Sequence, residues 1–123
     1  MADDPLSVLI VEQGIPELRA IPLDRRICLL GASTSADVFI DNSYVSRIHA
    51  QITQEPSGYM IRDLDSKNGT FVNGTRLQGE GRLLEGGDRV ELAEGQVVLR
   101  YQVRGVTLSQ PLAAAVDDSD LVV

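Results

Sequence analysis

The sequence predicts an all-β protein, an antiparallel β-sandwich of two sheets with no substantial helices. Apolar and β-branched residues alternate with polar ones over short stretches, which is the period of a strand with one buried face. Turn-forming Gly, Pro and Asn residues separate these stretches. No segment sustains apolar residues at i, i+3, i+4 and i+7, so the sequence predicts no helices between the strands. Short strands in succession without helices are typical of a sandwich or a barrel.

The candidate strands follow one another along most of the chain. The first, Leu-Ser-Val-Leu-Ile-Val, is rich in β-branched residues. Pro22 places the second at the edge of a sheet, because proline cannot donate a ladder hydrogen bond. The last is the longest and puts Val97, Leu99 and Tyr101 on one face. In chain order, the candidates are residues 6–11, 19–23, 27–30, 38–40, 49–53, 59–64, 70–72, 89–93 and 96–103.

Two Asn-Gly dipeptides flank the short β-branched and aromatic stretch 70–72. They are Asn68-Gly69 and Asn73-Gly74. Asparagine followed by glycine suits the positive φ angles of a tight bend. The pattern therefore predicts two hairpin turns with a short strand between them.

The chain of 123 residues is long enough for one domain and too short for two ordinary ones. We expect an N-terminal tail over residues 1–5, a β-sandwich domain over 6–104, and a flexible acidic linker or tail over 105–123. The net charge of −7 belongs mostly to the tails, since residues 6–104 hold 13 acidic side chains against 11 basic ones. A nearly neutral domain lacks the basic face that non-specific nucleic-acid binding needs, and we predict no such partner.

The composition also indicates the cellular setting. No apolar run approaches the roughly 20 residues of a membrane-spanning helix. The acidic start Met-Ala-Asp-Asp is unlike a secretory signal. Cys28 is the single cysteine and lies in an apolar run, which predicts a buried thiol without a disulfide or a zinc site. These features predict a cytoplasmic protein with no membrane partner.

Four short motifs, in order along the chain, carry the functional signal. Gly31 precedes the strand-like Val38-Phe39-Ile40, and Ser46-Arg47-Ile48-His49-Ala50 follows. Segment 66–74 reads Ser-Lys-Asn-Gly-Thr-Phe-Val-Asn-Gly, and a Leu-x-x-Gly-Asp turn occupies 84–88. In this order and spacing, residues 6–103 resemble the forkhead-associated (FHA) domain. The resemblance implies an FHA/SMAD-like β-sandwich that binds phosphothreonine peptides with loops at one end.

A phosphate dianion needs several convergent hydrogen-bond donors. Ser46 offers a hydroxyl, Arg47 a planar fork and Lys67 a movable point charge. The amide of Asn68 can both donate to and accept from the backbone of an extended peptide. The resemblance implies these roles for Ser46, Arg47 and Asn68, while Lys67 is added for its place beside Asn68. The residues predicted to support the site are Gly31, Ala32, His49, Gly69, Thr70 and Asn73.

The chain departs from the family pattern at Ala32, where the resemblance implies an arginine that holds the phosphate. Three alternatives stay open. Arg47 and Lys67 suffice for weaker phosphopeptide binding, or an arginine from elsewhere reaches the site. In the third, the domain binds an unphosphorylated partner, or has a structural role in regulating an attached domain. The arginines considered for the second alternative are Arg25, Arg26 and Arg76.

Enzymatic alternatives find little support in the sequence. His49 is the single histidine, and no nucleophile and carboxylate accompany it in a triad pattern. The resemblance implies that it braces the binding loops. Asp63-x-Asp65 begins like a calcium loop, but Gly74 stands where that loop needs a bidentate Glu, and no glycine-rich nucleotide motif occurs. We predict a recognition module in Ser/Thr-kinase signalling, with no catalytic residue, metal or cofactor.

Overall fold

The computed structural model of the protein describes residues 7–103, which form eleven strands and no helix. Within this range no helix is long and apolar enough to cross a bilayer. The predicted tails, 1–5 and 105–123, lie outside the described residues. The strands are β1 (Ser7–Gln13), β2 (Ala20–Pro22), β3 (Ile27–Gly31), β4 (Val38–Phe39), β5 (Ala50–Glu55), β6 (Gly58–Asp63), β7 (Thr70–Val72), β8 (Thr75–Arg76), β9 (Arg82–Leu83), β10 (Arg89–Leu92) and β11 (Val97–Val103).

The strands form two sheets. One has the order β2-β1-β11-β10-β7-β8, and the other has the order β4-β3-β5-β6-β9. The all-β sandwich predicted from the sequence is confirmed, and Pro22 lies on an edge strand as expected. One pairing differs from the antiparallel prediction: β4 runs parallel to β3, because the loop between them doubles back before β4 begins.

The core lies between the two sheets and is filled by alternate residues of the central strands. Leu9 and Leu99 come from the first sheet, and Leu30, Ile52 and Ile61 come from the second; none is more than 1% exposed. Each fully buried side chain of this size stabilises the fold by roughly 1.5–3 kcal/mol. The period of two seen in the sequence is thus the period of burial.

Cys28 is buried, as its apolar neighbours predicted. Burial, reinforced by the charge of Asp37, raises the pKa of the thiol to about 11. The thiol is therefore protonated at neutral pH, and it is neither a nucleophile nor a ready metal ligand.

Of the two predicted hairpin turns, the second is present. Asn73 and Gly74 have φ angles of +51° and +86° and join β7 to β8. Asn68 and Gly69 instead end the loop 64–69, which carries the chain from one sheet to the other. Gly69 has a φ of +91°, whereas Asn68 is not in the positive-φ region. The hairpin prediction was wrong here because a dipeptide cannot distinguish a hairpin from a crossover between sheets.

Candidate functional site

Three loops meet at one end of the sandwich because of the order and direction of the strands. Leu30 near the end of β3 pairs with Ala50 at the start of β5, and Ala50 pairs with Asp63 at the end of β6. The connections beyond these residues therefore leave the sheet together. They are the loops 32–37, 40–49 and 64–69, which together are called the loop end here.

Gly31 allows the first two loops to meet through their backbones. The N–H of Ala32 donates to the carbonyl of Ser46 at 2.9 Å, and the N–H of Ser33 donates to the carbonyl of Arg47 at 3.1 Å. A Cβ atom at Gly31 would overlap the Arg47 carbonyl group and would lie 2.7 Å from its carbon. Only glycine permits this approach, which explains its place at the end of β3.

The side chains of Ser46 and Asn68 each form a hydrogen bond between the second loop and the third. The Oγ of Ser46 accepts the backbone N–H of Lys67 at 3.0 Å, and the Nδ2 of Asn68 donates to the carbonyl of Tyr44 at 2.8 Å. The side chains of Arg47 and Lys67 are exposed, and neither forms an ion pair within residues 7–103. The structure thus brings the four predicted binding residues together at the loop end.

His49 is completely buried beneath these loops. Its Nδ1 accepts the backbone N–H of Ser46 at 3.0 Å, which places the ring proton on Nε2 and lets Nε2 donate to the carbonyl of Gly69 at 2.8 Å. Burial lowers the pKa of His49, although the bond to Gly69 and the charge of Asp63 oppose the shift. The neutral ring therefore links the second loop to the third, and both of its nitrogens are engaged.

Asp63 organises the third loop, a role that sequence reasoning missed. One carboxylate oxygen accepts the hydroxyls of Ser66 and Thr70, the latter at 2.7 Å, and the other accepts the N–H of Ser66 at 3.0 Å. The Oγ of Ser66 in turn accepts the N–H of Gly69 at 3.0 Å. Burial by itself raises the pKa of Asp63, but the bonds from Ser66 and Thr70 outweigh it and hold the pKa below its ordinary value. An Asp three residues before a Ser is a turn signal that was available in the sequence.

Asn73 lies elsewhere, and its predicted support of the site is corrected. β7 begins at Thr70 near the loop end and leads away from it, so Asn73 follows at the opposite end of the strand. There the Nδ2 of Asn73 donates to Asp88 and its Oδ1 accepts the N–H of Arg89, both at 2.9 Å. Asn73 therefore joins the β7–β8 turn to the start of β10.

The three arginines considered as substitutes at position 32 have different positions. Arg25 forms an ion pair with Asp37 at 2.9 Å, and Arg26 precedes β3 at the end of that strand opposite the loop end. Arg76 lies against the third loop, since a Cβ at Gly69 would be 2.9 Å from its Nε. Arg25 and Arg76 therefore each contact the loop end, Arg25 at Asp37 of the first loop and Arg76 at Gly69 of the third loop, whereas Arg26 lies away from it.

Ala32 itself is partly buried and packs against the core. Its N–H and that of Ser33 are both donated to the second loop, so neither points to a ligand. No group of three or more His, Cys, Asp and Glu residues is arranged to hold a metal ion within residues 7–103. The Ser46 hydroxyl, the Asn68 amide and the two cationic side chains remain as donors for a ligand at the loop end.

The chain resembles known proteins in both sequence and structure. It is 31% identical over 92 residues to the oxoglutarate dehydrogenase inhibitor of Corynebacterium diphtheriae, a match that covers 75% of this chain and 63% of that protein. It is 32% identical over 92 residues to the glycogen accumulation regulator GarA of Mycobacterium tuberculosis, with coverage of 75% and 56%. The chain thus spans less than two thirds of the length of these relatives.

The structural comparison agrees with the sequence comparison. An FHA domain solved in a study of phosphothreonine-dependent FHA domain interactions matches with a TM-score of 0.70 and 25% identity. That match covers 81% of this chain and 98% of the other. The sequence profile of the family described as FHA domain matches residues 28–93, which include all three loops of the loop end. This chain belongs to the FHA domain family.

Proposed function

We propose that this domain recognises phosphothreonine in a protein or peptide partner at the loop end. The arrangement around Ser46 carries the proposal. Its Oγ accepts the backbone N–H of Lys67, which leaves the hydroxyl hydrogen to donate to a ligand oxygen. Arg47 follows in the chain, and the side chains of Arg47 and Lys67 supply positive charge beside this hydroxyl. Hydroxyl, guanidinium and ammonium groups are the donors that a phosphate dianion requires.

The amide of Asn68 is suited to hold the backbone of the same peptide. One hydrogen of Nδ2 is donated to the carbonyl of Tyr44, which fixes the orientation of the amide. Its Oδ1 accepts no hydrogen bond from the part of the chain that the structure describes, so it is available to a peptide N–H. Because the side chain is already ordered, little conformational entropy is lost when the peptide binds.

The wider role belongs to the same proposal. The domain acts as a cytoplasmic recognition module in Ser/Thr-kinase signalling, and it is no enzyme. The names of the two relatives, a regulator and an inhibitor, support a regulatory role. His49 is buried and neutral with both nitrogens engaged, and so it offers no acid or base to a substrate. The partner is a phosphorylated protein, with no role for nucleic acid or membrane.

Fluorescence anisotropy with matched threonine and phosphothreonine peptides tests the proposal. A phosphothreonine peptide that binds should do so at least 10-fold more tightly than the unphosphorylated peptide of the same sequence, because charge-assisted hydrogen bonds contribute about 1.5–3 kcal/mol each. Ser46→Ala should remove most of this preference. Ser43→Ala should not, since Ser43 is an exposed serine of the same loop and forms no hydrogen bond within residues 7–103. Equal affinities for the threonine and phosphothreonine peptides of every matched pair tested would refute the proposal.

A second candidate function is binding without phosphate, either to an unphosphorylated partner or to an attached domain that this module regulates. The observation that favours it is made in the first loop. Position 32 is an alanine without charge, and the backbone N–H groups of Ala32 and Ser33 are both donated to carbonyls of the second loop. Under this hypothesis phosphorylation leaves affinity unchanged, and Ser46→Ala has no effect on partner binding. The titration above therefore separates the two functions.

A further inference from the structure

The turn that presents Lys67 and Asn68 lies mostly in solvent. Asp65 and Lys67 are exposed, and Asp65 has a φ of +58°, in the left-handed region. Ser66 lies between them and is only 8% exposed. A buried hydroxyl within an exposed turn needs hydrogen-bond partners, and Ser66 finds them on both sides of itself in the chain.

The hydrogen bonds of Ser66 close the turn. Its backbone N–H donates to one carboxylate oxygen of Asp63 at 3.0 Å, and its hydroxyl donates to the other. The Oγ also accepts the backbone N–H of Gly69 at 3.0 Å. Because a hydroxyl has one hydrogen and an ionised carboxylate only accepts, the hydroxyl hydrogen of Ser66 belongs to the bond with Asp63. One side chain thus joins the beginning of the third loop to its end.

Asp63 fixes this turn to both sheets. It is the last residue of β6 and pairs with Ala50 of β5. The oxygen that accepts the Ser66 hydroxyl also accepts the hydroxyl of Thr70 at 2.7 Å, at the start of β7 in the other sheet. Burial raises the pKa of Asp63, but the bonds from Ser66 and Thr70 hold it below its ordinary value. The carboxylate is therefore ionised at neutral pH, and its hydrogen bonds are charge-assisted.

The two binding residues that follow Ser66 depend on the shape of this turn. The N–H of Lys67 donates to the Oγ of Ser46 at 3.0 Å, and the Nδ2 of Asn68 donates to the carbonyl of Tyr44 at 2.8 Å. Both bonds cross from the third loop to the second. Because Lys67 and Asn68 come directly after Ser66 in the chain, a change in the turn moves both of them.

We propose that Ser66, held by Asp63, is a positioning residue of the phosphopeptide site. Ser66 is buried and its hydroxyl hydrogen is used, so it acts on the ligand through Lys67 and Asn68. With the turn already formed, these two residues lose little conformational entropy when the peptide binds. Without the Ser66 hydroxyl, the turn has to be ordered during binding, and the affinity falls. The inference rests on the proposed function, because it requires a phosphopeptide at the loop end.

The test compares Ser66→Ala with Ser7→Ala, each titrated by fluorescence anisotropy with a phosphothreonine peptide that binds wild type. Ser7 is a matched control, because it is 7% exposed and its hydroxyl is hydrogen-bonded to that of Tyr101 at 2.9 Å. It pairs with Val103, at the end of the sandwich opposite the loop end. Ser66→Ala should bind about 10-fold more weakly, and Ser7→Ala should bind within about 2-fold of wild type. Urea denaturation of both variants establishes that folded proteins are compared.

Asp63→Asn tests the anchor independently, with a side chain of the same shape. Loss of a negative charge would by itself favour a phosphate, so weaker binding by this variant reports lost positioning. We expect its binding to be about 10-fold weaker, and this variant decides the question by itself if Ser66→Ala does not fold. In the double variant, the loss should stay within about 2-fold of the larger single loss, because both substitutions remove the same link.

Amide hydrogen exchange gives a readout that does not depend on the peptide. The N–H of Gly69, which Ser66 accepts, should be protected in wild type and in Ser7→Ala. In Ser66→Ala it should exchange at least about 10-fold faster than in Ser7→Ala. An equal rate in the two variants would overturn the role of Ser66 in the turn.

The binding outcomes separate this inference from the proposed function. If Ser66→Ala and Asp63→Asn bind the phosphopeptide like wild type, the inference is overturned and the proposed function stands. Equal losses in Ser66→Ala and Ser7→Ala would also overturn it, as would a double-variant loss equal to the product of the two single losses. If wild type does not prefer the phosphopeptide to its unphosphorylated match, the proposed function fails and the inference fails with it.

Discussion

Gly31→Ala tests whether the close approach of the first two loops builds the loop end. The new methyl group would overlap the backbone of Arg47, which cannot swing aside as a side chain does. Residues 46–49 would have to move away, which breaks up to three backbone hydrogen bonds to residues 30–33. Each bond contributes about 0.5–1.5 kcal/mol, so loss of all three should lower the free energy of unfolding by about 1.5–4.5 kcal/mol. Urea denaturation measures this, and phosphopeptide anisotropy should show weakened binding in the folded fraction.

The chain offers a matched control in Gly86→Ala. A Cβ atom at Gly86 meets no atom within 4 Å, and its φ is not in the left-handed region. We expect its free energy of unfolding to stay within about 0.5 kcal/mol of wild type. If Gly31→Ala unfolds at the same urea concentration as Gly86→Ala, the contact with Arg47 is not what requires glycine at position 31.

Three further predictions concern the site itself. Arg47→Ala should weaken phosphopeptide binding about 10-fold or more, because it removes a charge-assisted donor. Its melting temperature should be unchanged, because the exposed guanidinium forms no ion pair within residues 7–103. Arg26→Ala is the control, and equal affinities for wild type and Arg47→Ala would remove Arg47 from the site. Ala32→Arg should tighten binding of the phosphothreonine peptide by a few kcal/mol at most, with little gain for the unphosphorylated peptide. If neither wild type nor Ala32→Arg binds the phosphopeptide, the phosphate-independent function is favoured. Burial lowers the pKa of His49 below 6.5, so on acidification the unfolded chain takes up the proton first. The free energy of unfolding measured in urea should therefore fall as the pH drops from about 7.5 to 5.5. In His49→Gln this dependence on pH should be lost. A wild-type free energy of unfolding that does not change over this range would contradict the buried neutral ring.

Patterns between near neighbours predicted the strands well and the third loop less well. The alternation in 96–103 placed Val97, Leu99 and Tyr101 in the core, where all three are buried. The dipeptide Asn73-Gly74 formed the hairpin that its chemistry indicates, whereas Asn68-Gly69 ends a crossover. Both dipeptides have the same local chemistry, and only the destination of the following strand separates them.

The site shows the same division. The motifs pointed to Ser46, Arg47 and Asn68, and its place beside Asn68 pointed to Lys67; the structure brings these four residues to one end. The motif spacing did not reveal that the carboxylate of Asp63 accepts the hydrogen bonds that organise the third loop. Nor did it show that Asn73, which follows Asn68 by five residues, lies at the opposite end of β7.

The sequence by itself determined the all-β class, the strand periods, the buried cysteine and the motifs that mark an FHA domain. Each of these depends on residue type and on spacing between close neighbours, which a sequence displays directly. Only the tertiary structure decided which loops touch, because Leu30, Ala50 and Asp63 become neighbours through pairing of strands that are distant in the chain. The same pairing buries His49 between Ser46 and Gly69. Burial and long-range hydrogen bonds set the protonation of its ring, and no local pattern contains them.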